Sequence, residues 1–199
     1  IQMAEYLTIA APAEAQYTDK RSRFLAFAMP VRDAAEARAA VADLQRRYHD
    51  ARHVCWAYML GSARTDFLSN DNGEPSGTAG KPILGQINSL GLTDVLVAVV
   101  RYFGGIKLGT SGLIVAYRTA ARMALEAAPA VVRHDMARLT FHFPYAAMND
   151  AMKLTRDFDV TVVDRQFDNT CRMTLDIDAD TAPRLRARID SIDGATIAD

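Results

Sequence analysis

The pattern of hydrophobic and polar positions over residues 1–130 predicts a mixed α+β domain. Asp33 is a suitable N-cap with Glu36 three residues later, and apolar residues then recur at helical spacing as far as Tyr48. The β-branched run 95–100 is typical of a central, buried strand. Further strands are predicted at 6–9, 24–31 and 51–60, with a polar connection at 16–23, and further helices are predicted at 81–90 and 110–125.

A second and smaller pattern follows in residues 135–199. It reads as a strand at 138–143, a helix at 146–158, a hairpin of 160–167 with 171–177, a helix capped by Thr181 and a last strand at 195–197. This order is βαββαβ, which is the ferredoxin-like arrangement. The predicted fold class is therefore α+β with two domains, 1–130 and 135–199, and with a boundary inside 127–134.

Composition narrows the class of protein. The 199 residues are 50% hydrophobic and 24% charged, which is ordinary for a globular protein. No apolar run approaches the roughly 20 residues that span a bilayer, and no signal pattern opens the chain, so we expect a cytoplasmic protein without a membrane partner. Cys55 and Cys171 are the only cysteines, which excludes a disulfide framework and a cysteine-rich metal site.

Charge is divided unevenly along the chain. Residues 1–133 carry 15 Lys and Arg against 12 Asp and Glu, whereas residues 134–199 carry 8 against 12. An anionic partner is therefore expected to meet the first part of the chain. The excess is too small for a dedicated nucleic-acid domain.

Glycines are concentrated in the middle of the chain, where ten of the 11 lie between Gly61 and Gly112. One glycine-rich turn, 101–113, joins the predicted central strand to the start of a helix, whose unpaired N–H groups and dipole favour an anion. The pattern is neither a P-loop nor a dinucleotide fingerprint. Anion binding and simple packing of strand on helix both remain open for this turn. Its candidate residues are Arg101, Gly104, Gly105, Lys107, Gly109, Thr110 and Ser111, with Thr110 or Ser111 as the helix cap.

An earlier glycine-rich turn, 71–82, is rich in polar side chains. Its candidate residues are Asp71, Glu74, Ser76, Thr78 and Lys81. Two carboxylates so close together could hold a divalent ion, but the spacing is not that of an EF-hand, and Asx-type turns explain the residues better. Ser76 also lacks the Gly-x-Ser-x-Gly context of a nucleophile. We therefore assign no metal ligand and no catalytic residue here.

Two further sets of residues admit a functional interpretation. His53 and Cys55 share one face of a predicted strand, but residues so placed are about 7 Å apart, so a buried structural cysteine is favoured over a catalytic pair. Tyr102 and Phe103 could stack on bases if they are exposed, whereas Trp56 is expected in the core.

These motifs also carry a resemblance. Residues 71–82 (DNGEPSGTAGKP) and 100–109 (VRYFGGIKLG) resemble the two signature blocks of the YigZ/IMPACT family, and 20–24 and 53–58 resemble its earlier blocks. The resemblance implies an N-terminal α+β sandwich like a ribosomal small-subunit protein and domain IV of elongation factor G. It also implies a C-terminal domain like domain V of that factor. Eukaryotic IMPACT regulates translation through protein contacts, so the resemblance implies a translation-related role.

The chain departs from the family pattern at three places. Asn72 stands where the family usually has Asp, which removes one negative charge from the first turn. Ser111 and Val115 stand where Gly and Arg are common. Loss of that arginine is expected to reduce the attraction of the second turn for a polyanion.

Two classes of function follow. The favoured class is a binding protein that contacts RNA, the ribosome or a translation-related protein, with Lys81, Arg101, Lys107 and Arg118 as its cations. The alternative is an enzyme or a binder of a phosphate-containing small molecule, with Glu74, His53 and Lys107 as its polar groups. Neither class requires a cofactor, and the sequence leaves the oligomeric state and any catalysed reaction open.

Overall fold

The computed structural model of the chain describes residues 5–198. Contacts divide it into two compact units, one formed by Tyr6–Arg133 and the other by residues 134–198 together with Glu5. Each unit has hydrophobic clusters of its own. Among the described residues, no helix is both long enough and apolar enough to cross a membrane.

The N-terminal unit is an α+β structure. Its elements are β1 (Glu5–Ile9), β2 (Ala13–Asp19), β3 (Ser22–Pro30), α1 (Ala34–Arg47), β4 (His53–Leu60), β5 (Asp66–Asn70), α2 (Gly80–Ser89), β6 (Val95–Tyr102), α3 (Gly109–Ala127) and β7 (Ala130–His134). Five strands form an antiparallel sheet in the order β2-β3-β6-β4-β5, and β1 pairs with β7 in a separate sheet.

Strand β6 is central because its side chains are apolar on both faces. Val97 and Val99 lie in the cluster shared with α2 and α3, whereas Leu96 and Val100 lie in the cluster shared with α1. Both faces of the sheet are therefore covered by helices, as the apolar alternation in β4 also predicts. This layering brings the C-terminal end of β6 close to the start of α3, where the second glycine-rich turn lies.

Helix α1 begins where the capping pattern predicts. The Asp33 carboxylate accepts a hydrogen bond from the Glu36 N–H at 2.7 Å, and the Glu36 carboxylate accepts one from the Arg32 N–H at 2.8 Å. The first bond satisfies an N–H group that the first turn of a helix leaves without a partner, and the second fixes the residue just before the cap. The prediction of this helix and its cap is confirmed.

Three strands were not predicted, namely β2, β5 and β7. Strand β2 covers part of the stretch interpreted as a polar connection, and β7 occupies most of the segment interpreted as the domain boundary. The predicted cap of α3 is wrong, because this helix begins at Gly109 without a side-chain cap, so Thr110 and Ser111 lie in its first turn. Thr181 stands at the N-cap of its helix as predicted, but its side chain makes no capping hydrogen bond.

The β2–β3 hairpin has an unusual apex. Lys20 and Arg21 both have positive φ, 44° and 65°, although neither is a glycine. Adjacent residues with positive φ are typical of the tight type I′ hairpin turn, which favours Asn-Gly.

The second unit has the predicted ferredoxin-like order. Its elements are β8 (Met136–Phe143), α4 (Met148–Asp157), β9 (Val160–Gln166), β10 (Cys171–Asp178), α5 (Ala182–Asp190) and β11 (Thr196–Ala198), with a 3-10 turn at Tyr145–Ala147 before α4. The strands form an antiparallel sheet in the order β11-β8-β10-β9. Phe141, Leu175 and Leu185 are among its fully buried core residues.

Candidate functional site

The first glycine-rich turn is organised around the carboxylate of Asp71. Its Oδ1 accepts hydrogen bonds from the N–H groups of Ala79 and Gly80 at 3.1 and 2.8 Å, and its Oδ2 accepts one from Gly77 at 2.9 Å. Partial burial raises the pKa of Asp71, but the three backbone donors outweigh it and hold the pKa below its ordinary value. Asp71 thus occupies the N-terminus of α2, which leaves those amides unavailable to a ligand.

Other polar groups of this turn are also engaged internally. The Asn72 side-chain oxygen accepts a hydrogen bond from the Val54 N–H at 2.8 Å, and the Thr78 hydroxyl donates to the Pro75 carbonyl at 2.6 Å. An aspartate could accept the bond from Val54 equally well, so the departure from the family pattern at position 72 preserves this contact. Lys81 and Ser76 are exposed.

Glu74 differs from its neighbours because its carboxylate is buried and points to other side chains. Its Oε1 accepts hydrogen bonds from Arg101 Nη1 at 2.6 Å and from the Tyr117 hydroxyl at 2.7 Å. Its Oε2 lies 3.9 Å from Nε2 of His53. The His53 ring is oriented by its Nδ1, which lies 2.7 Å from the Asn72 carbonyl oxygen.

Cys55 lies behind this network and is not paired with histidine. Its Sγ is 3.0 Å from the Asp71 carbonyl oxygen and 3.4 Å from the Tyr117 hydroxyl. Burial raises the pKa of the Cys55 thiol to about 12 and also raises the pKa of Tyr117. A thiol of this kind is unreactive, which excludes it as a nucleophile and agrees with the structural interpretation.

The glycines of the second turn have different roles. A Cβ atom on Gly104 would lie 2.1 Å from the backbone carbon of Arg21, so close packing against the β2–β3 hairpin requires glycine there. Gly105 and Gly109 have positive φ, 90° and 75°, and open space around them. Gly104 is thus explained by packing, whereas the other two are explained by the path of the turn.

A cleft of about 380 Å³ opens between the two turns and the start of α3. It is lined by Arg52, His53, Glu74, Pro75, Arg101, Phe103, Lys107, Leu108, Gly109, Thr110 and Leu113. Because no side chain caps α3, the N-terminus of that helix remains available beside the cleft. The structure therefore brings the strand end, the second turn and the helix start to one concave surface.

Only some of the candidate binding residues from the sequence line the cleft. Arg101, Lys107, Gly109, Thr110 and Glu74 line it. The candidates outside its lining are Asp71, Ser76, Thr78, Lys81, Gly104, Gly105, Ser111 and Arg118.

Sequence reasoning missed two residues of this region, Arg52 and Tyr117. Arg52 lines the cleft and carries an exposed cation. Phe103, which the sequence nominated for stacking on bases if exposed, lines the cleft with a side chain that is 48% exposed. Tyr117 is fully buried, and its hydroxyl completes the Glu74 network. A signal for Tyr117 was present, because a tyrosine in the apolar stripe of a helix needs a partner for its hydroxyl.

The charges around the cleft favour an anion. Arg52, Arg101 and Lys107 are three cations against the single carboxylate of Glu74. The Arg101 guanidinium is buried and lies 5.7 Å from the ring centroids of Phe24 and Phe103, surroundings in which its charge is screened less than at the surface.

Comparison with known proteins connects this site to a family. The model of the Impact N-terminal domain matches residues 20–125, which include all of the cleft. A protein of Haemophilus influenzae named "IMPACT family member" is 32% identical over 182 residues, covering 90% of this chain and 88% of its own length. Escherichia coli "IMPACT family member YigZ" is 32% identical over 169 residues, with 83% and 82% covered. A crystal structure of a hypothetical protein superposes with a TM-score of 0.75 at 27% identity, covering 99% of this chain and 97% of that one.

Proposed function

The chain belongs to the IMPACT family, and on that premise we propose that it is a translation-associated protein that contacts single-stranded RNA through the cleft. The translational part rests on the resemblance to a family whose eukaryotic member regulates translation. We place this activity in the cytoplasm, where translation occurs. The contact with RNA is argued from the cleft itself.

The proposal rests on one observation: an uncapped helix N-terminus and two positively charged side chains lie at the same cleft. The start of α3, Lys107 and Arg101 all border the same concave surface. Helix N-termini bind phosphate groups through free N–H groups and the helix dipole, and neighbouring cations strengthen that attraction. A backbone phosphate of RNA supplies the anion.

Phe103 supports RNA over a protein partner. Its ring is half-exposed at the cleft and lies against the Arg101 guanidinium. Exposed aromatic rings beside cationic grooves bind single-stranded nucleic acid by stacking on bases. A nucleotide places a phosphate beside a base, and this arrangement matches the pairing of a cation with an aromatic ring at the cleft.

Binding of a labelled single-stranded RNA, measured by fluorescence anisotropy, tests the proposal. We expect apparent affinity to fall steeply between about 50 and about 200 mM salt. Arg52→Gln with Lys107→Gln is expected to lower affinity and to reduce the dependence on salt by roughly 0.7 per phosphate contact removed. Phe103→Ala is expected to weaken binding by about 1–3 kcal/mol without changing the salt slope.

Arg38→Gln is the matched control, because Arg38 is an exposed arginine on α1, which covers the opposite face of the sheet. It is expected to leave binding unchanged. Lys81→Gln and Arg118→Gln test whether the cations outside the cleft extend the contact with RNA. Equal loss of affinity in the Arg38 variant and in the cleft variants would contradict a specific role for the cleft.

A small phosphate-containing ligand is a second candidate, which one observation favours. The cleft volume of about 380 Å³ lies within the range of small-molecule sites, and the buried Glu74 network gives it convergent polar groups. A thermal-shift screen of nucleotides and sugar phosphates tests this candidate, because a ligand that binds only the folded state raises the unfolding midpoint. No shift from any compound would remove its support.

A further inference from the structure

Arg101 has one hydrogen-bonding edge that the protein leaves unused. Its Nη1 donates to Glu74, whereas its Nε is buried and has no partner in the described part of the chain. The Arg101 side chain is only 9% exposed. Nearly all buried polar groups in folded proteins have partners, so a vacant donor in a cleft-lining arginine points to a ligand.

A second buried nitrogen without a partner exists in the described residues, but its setting differs. Arg172 Nε belongs to a side chain that is 43% exposed, so that arginine can turn toward water. Arg101 cannot do so, because its guanidinium is held by Glu74 and packed near Phe24 and Phe103.

The unused edge has a defined chemistry. Nη1 bonds to a carboxylate and Nε has no partner among the described residues. In any guanidinium, Nε and Nη2 form one side with two parallel N–H donors. That spacing matches two oxygens of one phosphate or carboxylate group, and such paired contacts are stronger and more selective than those of a lysine.

The charges that line the cleft match a dianion. Three cations and the Glu74 carboxylate leave an excess of two positive charges among the lining residues. A phosphate monoester carries about −1.5 to −2 charges near neutral pH, whereas an internal phosphodiester carries only one. The monoester therefore fits the cleft better than the diester that links two nucleotides.

We propose that the cleft is a receptor for a phosphate monoester, bound by the Nε and Nη2 edge of Arg101 together with the N-terminus of α3 and Lys107. This inference rests on the proposed function. It narrows the bound group from any phosphate of an RNA to a terminal phosphate. The same chemistry has two sources, namely the phosphorylated end of a single-stranded RNA and a free mononucleotide.

Paired oligonucleotides test the receptor. The full chain is titrated with a short single-stranded RNA that carries a 5′-phosphate, a 3′-phosphate or hydroxyl groups at both ends, at constant salt. We expect a phosphorylated end to raise affinity by at least about tenfold over the hydroxyl-ended RNA. Competition by adenosine monophosphate, with adenosine as its control, then separates the two sources of the monoester.

Arg101→Lys is the decisive variant, because lysine keeps the charge beside Glu74 but lacks the paired donors. It is expected to retain the folded structure, shown by an unfolding midpoint close to that of the parent, and to lose most of the preference for the phosphorylated end. Lys107→Gln provides a second test at an exposed position, with loss of monoester affinity expected. Arg38→Lys is the matched control and is expected to retain the full preference.

Three outcomes are distinguishable. A terminal preference that Arg101→Lys removes supports the receptor. Equal, salt-dependent binding of all the oligonucleotides overturns the receptor but leaves the proposed contact with RNA intact. Absence of binding to every oligonucleotide and to adenosine monophosphate overturns both.

Discussion

The hydroxyl of Tyr117 shows how one atom connects the core of the N-terminal unit to the cleft. It donates to the buried Glu74 carboxylate, which in turn holds the Arg101 guanidinium. Hydrogen bonds to charged groups contribute more to stability than neutral ones, and a buried carboxylate that loses a donor is costly.

Tyr117→Phe is therefore expected to lower the free energy of unfolding by about 1.5–3 kcal/mol. Urea denaturation measures this change. Tyr17→Phe is a control in the same unit, because Tyr17 is half-buried and its hydroxyl makes no hydrogen bond described in the structure. Similar losses in the two variants would contradict the importance of the Glu74 network.

Asp71 gives a pH-dependent prediction. Burial raises the pKa of this carboxyl, but its backbone donors lower it further, so the net pKa in the folded chain lies below the ordinary value of 3.8. The ionised form therefore stabilises the fold above that value, and its contribution is lost as the pH falls through the lower, folded-state pKa.

In Asp71→Asn, an amide with one acceptor oxygen and one NH₂ group replaces a carboxylate with two acceptor oxygens. At least one of the three backbone N–H groups therefore loses its partner. We expect a loss of about 1–3 kcal/mol near pH 7, measured by urea denaturation. The difference from the parent chain is expected to narrow below about pH 3.8, where the Asp71 carboxyl of the unfolded parent chain becomes protonated, and to close as the pH falls through the lower pKa of the folded chain. Asp66→Asn, at an exposed position on β5, is the control. A difference that stays constant down to about pH 2 would contradict this account.

At the scale of elements, glycines that look alike in the sequence are expected to respond differently to substitution. Gly104→Ala forces a Cβ atom to 2.1 Å from the Arg21 backbone and is expected to cost more than about 2 kcal/mol. Gly85→Ala lies inside α2 with open space around it, so it is expected to stabilise by about 0.5–1 kcal/mol. Thermal unfolding midpoints of the two variants measure this, and a shift in the same direction for both would show that the two positions are not distinguished by packing.

The same scale shows what the sequence could predict. The α1 cap, the buried β6 and the ferredoxin-like order were predicted because each has a local signal, such as a capping pair or a continuous apolar run. Strands β2 and β5 were missed because they are the edges of their sheet and carry polar or exposed residues. An edge strand depends on its neighbour for its identity, and that information is not local.

The site was predictable only in outline for a similar reason. The glycine spacing indicated a turn before a helix, and Arg101 and Lys107, which the sequence nominates as anion-binding candidates, both line the cleft. The two turns differ in their backbone N–H groups. Asp71 accepts hydrogen bonds from those at the start of α2, whereas no side chain caps the start of α3. This difference depends on hydrogen bonds between residues that are not adjacent in the sequence. Arg52 comes from the segment before β4, which no motif connects to the second turn.

At the scale of the whole molecule, the two units have separate hydrophobic clusters, and we propose that 1–130 and 135–199 are independently stable domains. Phe141→Ala removes a fully buried ring from the second unit and is expected to cost it about 3–5 kcal/mol. Hydrogen exchange measured by mass spectrometry is expected to show lost protection in β8 and β10 and unchanged protection in β3 and β6. Loss of protection in both units would contradict the proposal.

The β2–β3 apex has a consequence for any attempt to make the protein more heat-resistant. Side-chain-bearing residues with left-handed backbone cost roughly 1–2 kcal/mol each, and Lys20 and Arg21 both adopt it where Asn-Gly would fit with less strain. Selection for thermal resistance alone is expected to replace this dipeptide early. Such selection would remove two positive charges from the hairpin that packs against Gly104. A more heat-resistant variant would therefore be less basic.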